Sequence, residues 1–168
     1  MDALEAVRAA RALLEEITPL RRDCGGVCGA ACCACDEDGQ GGMLLFPGEE
    51  ALYDPLPPGF SLRPDDSVMP GMRLLTCSGV CDRARRPLAC RLFPLTPVLT
   101  EREGREALSV RMDPRAFAVC PLSEGGIRGL SPEFSQAVLA AGRILRQCPE
   151  HRAYLRALNG YFKRLRRL

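Results

Sequence analysis

Cys24-Gly25-Gly26-Val27-Cys28-Gly29-Ala30-Ala31-Cys32-Cys33-Ala34-Cys35 sets five cysteines within twelve residues. Thiolates are soft donors that select zinc, iron–sulfur clusters or cuprous copper. The other use of such density is a disulfide framework, which needs an oxidising compartment. Gly25, Gly26 and Gly29 let the backbone turn around an ion and let amide groups approach sulfur. The stretch therefore reads as an irregular loop around which regular elements must be arranged. Further along, Cys77, Cys81 and Cys90 form a second group, Cys120 follows alone, and Cys148 is the last of the ten cysteines.

On the N-terminal side the spacing predicts a helix over residues 2–18. Asp2 is the cap, Glu5 completes a capping box, and Leu4, Val7, Leu14 and Ile17 form one apolar stripe before Pro19. On the C-terminal side of the loop, residues 43–46 and 72–76 read as short strands, the second delivering Cys77. Residues 49–53 read as a helical turn and the proline-rich stretch 54–71 as an irregular connection. Residues 87–93 read as a short helix ended by Pro94. Residues 95–100 and 106–112 form a hairpin around 101–105, and residues 114–120 a helical turn. Ser131-Pro132 caps and opens a helix running to about residue 147. Pro149 opens a last helix, with Tyr154, Leu155, Leu158, Tyr161, Phe162, Leu165 and Leu168 along one side.

These elements predict a small α+β fold in a single domain over residues 1–168. Helices lie at both ends, a few short strands between them, and cysteine-rich irregular metal-binding loops fill the middle. Residues 24–121 form the cysteine region and 131–168 a C-terminal helical hairpin. The 168 residues include 16 Gly and 14 Pro but no Trp, so the core is lean and a metal crosslink would offset loop entropy.

The first residues carry scattered charges rather than the apolar run of a signal peptide. No stretch reaches the ~20 apolar residues that span a membrane. The expected compartment is the cytoplasm, where clustered cysteines point to metal or catalysis rather than to bridges. The net charge of +2 names no partner. The basic C-terminal helix (Arg152, Arg156, Lys163, Arg164, Arg166, Arg167) reads as a solvated face rather than a nucleic-acid surface, since no aromatic-interleaved RNA-binding motif accompanies it. Paired acids such as Glu15-Glu16 and Glu49-Glu50 likewise read as solvated. His151 is expected at a helix start, partly exposed, and Cys148 as a small buried apolar residue.

The spacings Cys24-x3-Cys28-x3-Cys32-Cys33 and Cys77-x3-Cys81, with Cys90 and Cys120, suit a site whose close pairs come from one loop and whose other ligands arrive from elsewhere. A tetrahedral zinc site takes four such ligands at about 2.3 Å. Eight thiolates suffice for two four-sulfur sites or one multinuclear cluster, with Cys35 as a substitute ligand. Adjacent Cys32 and Cys33 serve two neighbouring ions more easily than one. Arg21, Arg22, Arg83, Arg85, Arg86 and Arg91 stand near the cysteines and offer compensating charge and donors to sulfur. Arg86 and Arg91 also flank Pro87 and Cys90, which suggests a structural part for both.

The string Arg86-Pro87-Leu88-Ala89-Cys90-Arg91-Leu92-Phe93-Pro94 resembles the R-P-x-x-C-R-x-F/Y-P signature of the YkgJ-like zinc- or iron-chelating cysteine-cluster family of CxxCxxCC type. Cys24, Cys28, Cys32 and Cys33 resemble its upstream run, Cys77 and Cys81 its middle pair, and Cys120-Pro121 its last Cys-Pro. The gaps in the first run are each one residue longer than in the compact form, and Cys35 and Cys148 are additional. The resemblance covers residues 24–121. It implies metal chelation by eight cysteines and little about activity, although some relatives are linked to N-methylation of flagellin lysines.

The function expected is metal binding through clustered thiolates, zinc ahead of iron, with metal ions as the partner and no biochemical role beyond chelation assigned. The alternative is an iron–sulfur enzyme supporting methyl or electron transfer, because Cys28-x3-Cys32-x2-Cys35 has the spacing of a radical-SAM cluster loop. The strand–helix alternation of that family's barrel is missing. Cys32-Cys33-Ala34-Cys35 also contains a C-x-x-C, but Asp36-Glu37-Asp38 beside it disfavours a redox-active thiolate. A protein partner is compatible with a closed zinc module.

Overall fold

The computed structural model describes residues 1–34, 41–79 and 82–165. Cys35 and Cys81, both expected ligands, lie outside the described residues, as do Arg166, Arg167 and Leu168. Among the described residues are six helices and five strands, an α+β arrangement with helices toward both ends. The helices are α1 (Ala3–Ala12), α2 (Gly25–Cys28), α3 (Leu88–Leu92), α4 (Ala116–Val119), α5 (Pro132–Leu145) and α6 (Pro149–Leu165). The strands are β1 (Gly41–Leu44), β2 (Phe60–Pro64), β3 (Arg73–Cys77), β4 (Leu95–Arg102) and β5 (Arg105–Met112).

α1 begins as expected. The Asp2 side chain accepts from the Glu5 amide at 2.8 Å, and Glu5 accepts from the Asp2 amide at 3.0 Å, a reciprocal capping box. It ends at Ala12 rather than near residue 18. The physical reason is tertiary: Arg83 donates to the carbonyls of Leu14, Glu15 and Ile17 at 2.6–2.9 Å. Carbonyls satisfied by that guanidinium need no further helical turn. Leu14 nonetheless lies fully buried beside Val7 and Ala10.

The sheets are small and antiparallel. β3 lies between β1 and β2, with Cys77 at the register position shared by Gly41 and Phe60. β2 corrects the reading of 54–71 as irregular throughout: Phe60, Ser61, Leu62 and Arg63 alternate, and the flanking prolines masked that short pattern. β4 and β5 form the expected hairpin around a two-residue turn, Glu103-Gly104, with φ of 52° and 72°, the left-handed geometry of a tight hairpin turn.

α5 starts where Ser131 accepts from the Phe134 amide at 3.2 Å, with Pro132 in its first turn. α5 packs against α1, β4 and β5, and α6 against β4. The approach of α5 to the hairpin is close enough that a Cβ on Gly142 would lie 2.7 Å from Pro97 Cβ. Val7, Leu14, Val98, Leu99, Phe134, Val138, Leu145 and Leu155 form the main core, and a smaller cluster joins Leu45, Tyr53 and Leu75. Among the described residues no helix is long and apolar enough to cross a membrane.

Candidate metal centre

The cysteines reach one region from four parts of the chain. α2 is a single turn whose last residue is Cys28, closed by Gly29 at φ 63°. Ala30 follows with φ 55°. A left-handed alanine is uncommon, and here it turns the chain into the short 3-10 segment Ala31–Cys33. α4 packs on that segment and leads directly into Cys120, whose amide donates to Ala116 O at 2.8 Å. Cys77 ends β3, and Cys90 sits in the middle of α3.

Cys32, Cys33, Cys77 and Cys90 line one small cavity of about 70 Å³ together with Arg86. Gly42, Met43, Phe60, Leu75, Pro87 and Phe93 complete the wall. Three chain segments, 44 and 13 residues apart along the sequence from Cys33 to Cys77 and from Cys77 to Cys90, thus bring four sulfur donors to a space that is otherwise apolar except for Arg86. Cys24, Cys28 and Cys120 form a neighbouring group. Burial pushes the Cys24 thiol up, reinforced by negative charge on Cys28, Asp23 and Cys120, with Arg86 opposing. Burial raises Cys120 as well, and Cys28 adds to it.

Cys32 and Cys33 behave as a pair. The Cys32 thiol donates to Cys33, which raises Cys32 and lowers Cys33; Arg86 adds to the lowering. Cys32 is also within electrostatic reach of both Cys24 and Cys90, so it stands at the junction of the two groups. The donor set fits a thiophilic cation in chemistry: soft sulfur, apolar walls and one guanidinium to balance charge. Among the described residues, no three His, Cys, Asp or Glu side chains form a group able to hold a metal ion as they stand.

The arginines divide by task. Arg86 faces the cavity. Arg91 is buried and turned away from sulfur: it donates to the carbonyls of Arg86, Arg83, Ala84 and Arg11 at 3.1–3.4 Å and pairs with Glu15. Arg83 serves the end of α1, and Arg21 pairs with exposed Glu133. Arg152 and Arg156 both pair with Glu106.

Two side chains depart from the sequence reading. Glu49 is fully buried, not solvated. Its Oε1 accepts from the Leu88 amide at 2.6 Å and from Arg11 at 3.2 Å, and its Oε2 accepts from the Phe46 amide at 3.1 Å. Burial pushes its carboxyl up, but its partners are all donors, which favour the carboxylate. No local pattern distinguishes Glu49 from exposed Glu50. His151 lies near the start of α6 as expected but has no exposure. Its Nε2 is 2.9 Å from Ala3 O, so that nitrogen carries the proton, and burial lowers its pKa. Cys148 is buried as expected, with its thiol donating to Glu150 at 2.8 Å.

No protein-family model matches the chain, and neither a curated protein nor a solved structure gives a significant match.

Proposed function

We propose that the chain chelates a thiophilic metal ion, zinc ahead of iron, through thiolates gathered around the cavity. Cys32, Cys33, Cys77 and Cys90 would hold one ion, and Cys24, Cys28 and Cys120 belong to an adjoining site. Cys81 and Cys35 complete the candidate set from the sequence. The observation that supports this reading is the convergence of four thiols from three separate segments on one largely apolar cavity beside Arg86. The bound ion would supply a crosslink between loops that have little apolar packing of their own. Cysteine binds as thiolate, so uptake releases protons and weakens as pH falls. The cysteine-cluster resemblance points the same way.

Elemental analysis of protein purified without oxygen tests the reading. Stoichiometric zinc in a colourless preparation is the expected result. Cys90→Ser should lose metal and abolish the fall in melting temperature that a chelator causes in the parent protein. Cys90→Ser with the parent's metal content and melting curve overturns the assignment. A brown preparation containing iron and acid-labile sulfide would instead carry the iron–sulfur reading, with methyl or electron transfer as the chemistry to assay.

A further inference from the structure

Resting on that chelation reading, we infer that Glu49 is a positioning residue for the metal centre: its buried carboxylate ties the backbone before Cys90 to the strand on the other side of the cavity. Oε1 accepts from the Leu88 amide at 2.6 Å, two residues before Cys90 on α3. Oε2 accepts from the Phe46 amide at 3.1 Å, just beyond β1. β1 contributes Gly42 and Met43 to the cavity wall, and Pro87, Cys90 and Phe93 line it from the α3 side. One carboxylate therefore spans the two walls.

The carboxylate is itself braced from α1. Arg11 donates to Oε1 at 3.2 Å and also to Ala84 O at 2.9 Å. A buried negative charge is costly unless paired and hydrogen-bonded, and this one has a guanidinium and two amides. A neutral or apolar residue at position 49 would leave the Leu88 or Phe46 amide buried without its acceptor. Glu49 touches no sulfur in this scheme. It acts by fixing where Cys90 stands, as outer partners of metal ligands do.

The test is a competitive cadmium titration against a chromophoric chelator, using the full chain and Glu49→Gln under conditions where circular dichroism shows both folded. Gln can keep one acceptor but not both. Cadmium affinity should fall about 10- to 100-fold, the usual cost of losing an outer partner of a metal ligand. Asn159→Ala is the control for general destabilisation: Asn159 is buried and donates to Leu99 O at 3.2 Å, away from the cavity lining. It should lower the melting temperature while leaving cadmium affinity unchanged. If Glu49→Gln is unfolded, Glu49→Asp keeps the charge but shortens its reach, and affinity should again fall. Unchanged affinity in the folded Glu49 variant, or an equal fall in Asn159→Ala, overturns the positioning role while leaving chelation intact. A parent protein that binds no cadmium overturns both.

Discussion

The body formed by α1, α5, α6 and the β4–β5 hairpin is held differently from the cysteine loops. In the first, Val7, Leu14, Val98, Leu99, Phe134, Val138, Leu145 and Leu155 are essentially removed from solvent. In the second, none of residues 24–34 is buried, and none of residues 82–86. The helical body can stand on apolar burial. The loops are positioned from outside by directed polar contacts: Arg83 on the end of α1, Arg91 on four carbonyls, and Glu49 on two amides. The difference teaches that stability and site geometry can be separated by mutation.

Phe134→Ala should have the largest effect. Removing a fully buried ring in such a core costs about 3–5 kcal/mol. Urea denaturation should show nearly the same loss with and without chelator, and a loss confined to the metal-loaded protein would break the division. Arg91→Met should come next, at about 1–3 kcal/mol, because it leaves part-buried carbonyl acceptors and the Glu15 carboxylate without their donor. Amide exchange should accelerate in residues 83–86 more than in α5. Equal acceleration in both would show that the loops and the body open as one unit.

The smallest effect is a pH dependence. Burial holds the His151 pKa below its ordinary 6.5. The unfolded chain therefore binds the proton first, so the contribution is complete above about pH 6.5 and is lost as pH falls toward the lower folded value. Melting curves across that window should converge when His151→Asn is compared with the parent at low pH. A parallel pair of curves would remove His151 from the account.

Much of the body was readable residue by residue. Asp2 with Glu5, Ser131 with Pro132, and the two runs flanking residues 101–105 carry their own local signals, because caps and turns depend on side chains a few positions away. The end of α1 was not readable, since Arg83 terminates it from far along the chain. β2 was hidden by its prolines, and the burial of Glu49 left no trace beside Glu50.

The candidate site divides in the same way. Residue chemistry and spacing identified soft donors and nominated which cysteines to watch, because sulfur keeps its ligand character in any conformation. Packing alone selected Cys32, Cys33, Cys77 and Cys90 to share a cavity, turned Arg91 toward backbone and Arg86 toward sulfur, and drew Glu49 inside. Those choices rest on contacts between residues far apart in the chain, where local preference has no reach and burial of the whole fold decides.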